Sequence, residues 1–300
     1  MKPPPFTYHA PTTVEEAVDV LAEVGEDGKV LAGGQSLIPL LNFRLATPEH
    51  LVDVNGIGAL DRIALDDDVV RVSAGVRHAR LERHQAVYAA CPLLRQALVH
   101  VAHPVVRNRG TVCGSIAHAD PAGELTAVLV LLDGTVHLAA QRAGQLARRD
   151  VPGSDFFRGV FEADVGADEL VEAVTFPRLP ARAGSAFVEV ARRHGDYAVC
   201  GAGATVQLDE RGRIAAARLA FISVGPVPVA VGLTELLAGA APARVRLEAV
   251  AEQARAAVRP GSDLHASAEY RRHLAGVLAA RALQEAVADA RDRRDRRREP

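Results

Sequence analysis

The chain is poor in the residues that build disulfide frameworks and metal clusters. Its three cysteines, Cys91, Cys113 and Cys200, are widely spaced and odd in number, so no disulfide framework is expected. No Cys-x-x-Cys pair is present for zinc or an iron–sulfur cluster, so any iron–sulfur relay that works with this chain has to sit on another one. Long apolar runs are missing too: none approaches the roughly 20 residues that a membrane helix needs. The opening Met1–Phe6 stretch carries Lys2 but no apolar core, which speaks against a signal peptide. Charge of either sign is not in excess. A formal net charge of -2 gives no reason to expect nucleic acid or an anionic membrane as partner. A reducing, cytoplasmic compartment is the simplest expectation. No repeat of fixed period occurs, and neither does a Gly-x-Gly-x-x-Gly string, so Asp53 falls only by coincidence where a Rossmann ribose-binding acid would lie.

What is present suffices for a sizeable core: 300 residues, 49% of them hydrophobic, predict about two domains. Short β-type runs alternate with helical stretches. Thr13-Val-Glu-Glu16 has the form of a capping box, after which Val14, Ala17, Val18, Leu21 and Ala22 share a helical face. Strands are predicted at 29–32, 51–54, 69–73, 135–139 and 170–175, and helices at 93–102 and 124–132. Pro177 and Pro180 then interrupt the pattern. Beyond them, strands at 186–190, 198–208 and 214–224 precede helices at 245–258 and 269–288, a grouping that indicates an α+β domain. The expected division is 1–177, itself in two parts of about 1–57 and 58–177, then 178–288, then a charged, disordered tail over 289–300.

Two glycine-centred loops carry the chemistry. Ala32-Gly33-Gly34-Gln35-Ser36 follows the strand-like Val30-Leu31, and Thr111-Val112-Cys113-Gly114-Ser115 also precedes a run able to open a helix. Glycine lets backbone approach a ligand closely, and successive N–H groups can hold an anion. Ser36, Thr111 and Ser115 add small donors. Two such loops suit a ligand with two linked phosphates. For the first loop alone, a tight turn in which Ser36 caps a helix explains the residues equally well. The second loop has more polar neighbours, His118, Asp120 and Glu124, than a simple turn needs. His103 stands beside Pro104, a setting in which histidine is more often structural than a ligand, so no metal site is expected. Arg107 and Arg109 are expected to pair with acids or carbonyls that hold the loop. No nucleophile–base pair stands out, and no catalytic residue is assigned.

The strings around these loops, Leu31-Ala-Gly-Gly-Gln-Ser-Leu-Ile-Pro-Leu-Leu-Asn-Phe-Arg-Leu45 and His103-Pro-Val-Val-Arg-Asn-Arg-Gly-Thr-Val-Cys-Gly-Ser-Ile-Ala-His-Ala-Asp-Pro121, resemble the FAD-binding medium subunit of the molybdenum hydroxylases, the carbon monoxide dehydrogenase and xanthine dehydrogenase family. Ala191-Arg-Arg-His-Gly-Asp-Tyr-Ala198 and Ser267-Ala-Glu-Tyr-Arg-Arg-His273 are similar to that family's second domain. The resemblance runs from Phe6 to about Ala288, with the motifs in the expected order. It implies an α+β fold: a two-part FAD-binding domain of the PCMH and vanillyl-alcohol-oxidase type, followed by a small domain of antiparallel sheet plus helices. It also implies FAD contacts at Ala32, Gly33, Gly34, Gln35, Ser36, Thr111, Val112, Cys113, Gly114, Ser115, Asp120, Glu124 and Tyr197.

Departures from the family pattern matter. Cys113 stands where relatives usually have a second glycine, which questions a positive φ there and implies a thiol close to the cofactor. Val188 stands where several relatives place a flavin-contacting lysine, and Val171 corresponds to an apolar residue beside the ring. The implied function is electron transfer within an oxidoreductase complex. Partners would be a molybdopterin-containing large subunit and a small subunit with [2Fe–2S] clusters, in a dimer of heterotrimers. Electrons would pass from those clusters to the flavin and on to quinone, NAD or oxygen. Two alternatives remain open from the residues: a stand-alone FAD-dependent oxidase, or a flavin-free assembly module.

Overall fold

The computed structural model describes residues 2–296. The chain forms two compact units that are interleaved along the sequence. The first comprises the chain up to His84 with His103–Ala119 and Gly134–Phe176; the second comprises Gln85–Ala102, Asp120–Asp133 and the chain from Pro177 onward. The last crossing falls between Phe176 and Pro177, and two helical segments ahead of it belong with the C-terminal chain. One of them, the helix Glu124–Leu131, buries every residue from Leu125 to Leu131. A helix apolar all round is a core element, and periodicity along the chain does not reveal whose core it enters.

In the first unit, three short strands form a parallel sheet in the order β1 (Thr7–His9), β3 (His50–Asp53), β2 (Gly28–Leu31). β3 lies in the middle and buries Leu51 and Val52. The helix Val14–Val24 precedes β2 and is capped as its sequence predicts, with the Glu16 N–H donating to Thr13 Oγ1 at 3.1 Å. The Glu16 carboxylate reaches one residue further back than a capping box requires and accepts from the Thr12 N–H at 2.7 Å.

A five-stranded sheet follows, built from β4 (Ile63–Leu65), β5 (Val69–Ser73), β6 (Thr135–Arg142), β7 (Gln145–Pro152) and, after a hairpin of β8 (Phe157–Gly159) and β9 (Glu162–Ala163), β10 (Glu169–Pro177). The spatial order is β4-β5-β10-β6-β7. β7 had no sequence signal. It is an edge strand whose Arg148 and Arg149 point to solvent and pair with Glu172 and with Glu169 and Asp164. Charge on an edge strand blocks further strand addition, and it also hides the strand from a hydrophobic pattern.

The second unit is an antiparallel sheet, β11 (Ala183–Ala191), β12 (Ala198–Leu208), β13 (Ile214–Ile222) and β14 (Val229–Gly232), in that order. The helices Leu247–Ala257 and Ala268–Arg296 complete it. Ala275, Ala279, Ala282, Ala286 and Ala290 are fully buried and share one face of the long helix. That face lies so close to β11 that a Cβ on Gly184 would sit 2.2 Å from Ala286 O and 2.2 Å from the Ala290 nitrogen.

The contact corrects the expected tail. Residues 289–296 continue the helix, because Ala290 packs on the sheet and Arg293 donates to Ala89 O at 3.1 Å. Residues 297–300 lie outside the described chain. Gly184→Ala is expected to force helix and strand apart and to cost about 1–3 kcal/mol, read as a lower midpoint of thermal unfolding. An unchanged midpoint would show that the helix does not rest on Gly184.

Candidate functional site

β2 ends at Leu31 and delivers the first loop, which leads into the helix Leu37–Phe43. Among the described residues, no hydrogen-bond acceptor meets the backbone N–H groups of Gly33, Gly34, Gln35 or Ser36. Such a run of uncommitted donors is what an anion needs, and what a self-satisfied turn lacks. Ser36 makes no side-chain cap bond, so the alternative reading of this loop as a simple capped turn fails. Gly34 has φ +71°, a conformation that suits glycine. Gly33 is required for a different reason: a Cβ there would lie 2.6 Å from Arg109 O and 2.7 Å from Gly110 Cα. The first loop therefore rests directly on the backbone that enters the second.

The second loop opens the helix Val112–His118 and commits its donors to the first unit. The Val112 N–H donates to Val76 O at 3.1 Å, the Gly114 N–H to Thr111 Oγ1 at 3.1 Å, and the Ser115 N–H to Thr111 O at 3.1 Å. Thr111 is thus a helix cap, and a Cβ on Gly114 would meet its Oγ1 at 2.7 Å. Cys113 takes ordinary helical backbone without positive φ, in line with the doubt its sequence raises, but its thiol differs from expectation: it turns into the core, 3.4 Å from Val72 O. It is 2% exposed, and burial pushes the thiol up to about 12. Helical phase accounts for the correction: residue 113 faces the five-stranded sheet, while Gly114 and Ser115 stay half-exposed.

Residues distant in sequence lock the two loops together. Asn55 donates to Ala32 O at 2.8 Å and accepts from Arg77 Nη2 at 2.5 Å, while Arg77 Nη1 donates to Arg109 O at 2.5 Å. Asp53 holds Asn55 through its backbone N–H at 2.9 Å and takes the Tyr8 hydroxyl at 2.5 Å. Burial opposes ionisation of Asp53, but the bonds from Tyr8 and Asn55 and the Arg77 charge keep its carboxyl below the usual range. The adjacent His78 is 3% exposed. Its Nε2 lies 3.0 Å from Ser115 Oγ, and burial drives the imidazole down to about 4, so it is neutral near pH 7. A cleft of about 400 Å³ lies over the first loop, bounded by Ala32–Gln35, Ile38, Pro39, Asp53, Asn55 and Arg109. Asn55, Arg77 and His78 were not legible as site residues. Arg107 meets its expectation and pairs with Glu82 at 2.9 Å.

The remaining candidates belong to the second unit and form a separate group. Asp120 accepts from the Ala122 N–H at 2.8 Å and so shapes the turn before Glu124. Tyr197 is 72% exposed. Partial burial, then the nearby charges of Asp120, Glu124 and Asp196, hold its phenol above the ordinary range. Asp196 is itself held by Arg192 at 3.2 Å. Val171 and Val188 are buried in their respective units.

Comparison with known proteins gives consistent matches. A family model described as an FAD binding domain in molybdopterin dehydrogenase matches residues 4–179, and one described as a CO dehydrogenase flavoprotein C-terminal domain matches 185–286. The 6-hydroxypseudooxynicotine dehydrogenase complex subunit alpha of Paenarthrobacter nicotinovorans is 38% identical, covering 97% of each chain. The carbon monoxide dehydrogenase medium chain of Hydrogenophaga pseudoflava is 35% identical, covering 96% of this chain and 99% of the relative. Among solved structures, quinoline 2-oxidoreductase from Pseudomonas putida 86 matches with TM-score 0.90 and 36% identity over 97% of this chain and 99% of its own.

The inward-facing thiol sets an expectation for Cys113. It should resist iodoacetamide in the native protein at the same negligible rate with or without added flavin, and react only on unfolding. Cys113→Gly should cost about 1–2 kcal/mol through lost burial and helix propensity. Rapid native-state labelling at Cys113, read by mass spectrometry, would contradict the buried placement.

Proposed function

From the premise that the chain belongs to the FAD-binding medium subunits of the molybdenum hydroxylases, we propose that its two loops hold the FAD pyrophosphate and that it relays electrons between a cluster-bearing partner and an external acceptor. The observation that carries the assignment is the first loop. Its four unspent N–H groups lie beside a cleft, and Gly33 is free of any side chain that would part it from Arg109 and Gly110. Those features fit a dianionic pyrophosphate approached by bare backbone. Gly33, Gly34, Gln35 and Ser36 are assigned to the phosphates through backbone, with Ala32 fixing the loop's entry. Thr111, Val112, Cys113 and Gly114 act through the helix turn that they build, and Ser115 supplies a hydroxyl. On family resemblance, Asp120, Glu124 and Tyr197 are proposed as further cofactor contacts.

The flavin, when bound, supplies chemistry that no side chain offers: it accepts and donates electrons singly or in pairs. The chain's own task is to bind and orient it. Asp53, Asn55 and Arg77 fix the separation of the two loops, and the buried, neutral His78 adds no charge beneath them. The relatives are named as complex subunits and medium chains, which supports partners: a molybdopterin-containing large subunit and a [2Fe–2S] small subunit in a dimer of heterotrimers. The chain has no paired cysteines for clusters of its own, so electrons enter from such a partner and leave to quinone, NAD or oxygen. Among the described residues no helix is long and apolar enough to cross a membrane, and we assign the assembly to the cytoplasm.

Two measurements test this reading. Gly33→Val should separate the loops and weaken FAD binding by about tenfold or more, on the order of 1.4 kcal/mol, while the chain stays folded by circular dichroism. Stoichiometric flavin retained by that variant would refute the placement. The purified chain should take electrons from dithionite yet stay oxidised with the complex's organic substrate until both partners are added. Substrate-dependent bleaching of the flavin in the isolated chain, free of iron and molybdenum, would favour the stand-alone oxidase instead.

A further inference from the structure

His78 is a buried ionisable side chain beside the loops to which the FAD assignment gives no direct contact. Its backbone N–H donates to Gly110 O at 2.9 Å, and a Cβ on Gly110 would lie 3.0 Å from its Nδ1. The ring is therefore fixed against the second loop from below. Nε2 lies 3.0 Å from Ser115 Oγ, whereas Nδ1 is buried with no hydrogen-bond partner among the described residues. A neutral imidazole carries its proton on one nitrogen only. Placing it on Nδ1 would bury an orphaned N–H, a rarer and costlier state than an acceptor left unused. The proton consequently belongs on Nε2, where Ser115 Oγ at 3.0 Å accepts it, with the Thr111 backbone as a second polar neighbour of the ring. A serine that accepts from a fixed donor has its own O–H turned outward, free to donate.

We propose that His78 is a positioning residue: as the Nε2–H tautomer it occupies Ser115 Oγ as an acceptor and so commits the Ser115 hydroxyl as a donor to the cofactor's phosphate. The proposal rests on the FAD reading and deepens it. His78 touches no phosphate itself. Its effect passes wholly through Ser115, and that distinguishes it from a residue that merely fills space. A space-filling His78 would add to the loss caused by removing Ser115. A positioning His78 loses its purpose once Ser115 is gone.

The test is a double-mutant cycle on the full chain, with FAD affinity read by fluorescence titration of the apoprotein and fold integrity by thermal melting. His78→Phe and Ser115→Ala should each weaken FAD about tenfold, and the double variant should bind no more weakly than Ser115→Ala alone. His78→Gln, whose amide can reach the same hydroxyl, should restore most of the affinity lost in His78→Phe. Multiplied losses in the double variant, or full affinity in His78→Phe, would overturn the proposal. The imidazole nitrogens supply a readout that needs no variant. ¹⁵N spectra of histidine-labelled wild-type protein should show the Nε2–H tautomer with and without FAD, and an Nδ1–H tautomer would overturn the assignment. Failure of the underlying reading looks different: the wild-type chain itself would bind no FAD, and the proposal would fall with it.

Discussion

The guanidinium of Arg77 is the point on which the site depends. One of its nitrogens holds Asn55, which grips the carbonyl of Ala32 at the start of the first loop; another holds the carbonyl of Arg109 at the start of the second. A single planar cation with fixed donor directions thus sets the distance between two backbone segments from different parts of the chain. The contact it enforces is close enough that Gly33 can carry no side chain. Lysine, with one compact ammonium, has no comparable fork. The fold supplies the rest: β3 carries Asp53 and leads directly to Asn55, and the strand β5 leads through a turn to Arg77 and His78. The cradle is a product of the first unit alone.

The two loops are not equivalent, although their sequences suggest a matched pair. The first keeps its N–H groups uncommitted and needs outside residues to hold its shape. The second satisfies itself through Thr111 and keeps a hydroxyl in reserve at Ser115. Uncommitted donors are costly in a protein interior and tolerable where a ligand or water meets them. Hence the first loop is the natural seat of charge, and the second is a rigid wall that carries one oriented side chain.

Much of this was legible in the sequence, for local reasons. Gly33, Gly34 and Gly114 stand in strings distinctive enough to identify the family, and Thr111 precedes its helix as a cap should. The strands 69–73 and 198–208 appear with the bounds that their patterns gave, because each alternates or runs apolar between turn residues. What escaped was long-range. Asn55 to Ala32, Arg77 to Arg109 and His78 to Ser115 join residues 23, 32 and 37 positions apart, with no periodicity to betray them. The inward turn of the Cys113 thiol escaped too, because the direction of a side chain depends on helical phase, which a loop string does not specify. The interleaving of the units escaped for the same reason: pattern identifies an element and leaves its packing partner open.

The central claim is that a dinucleotide's linked phosphates, and not the flavin ring alone, are what these loops grip. Calorimetric titration of the apoprotein with FAD, FMN and ADP tests it most directly. The account predicts tight one-to-one binding of FAD, measurable competition by ADP, and FMN weaker than FAD by about a hundredfold or more. FMN binding as tightly as FAD, with ADP unable to compete, would contradict it.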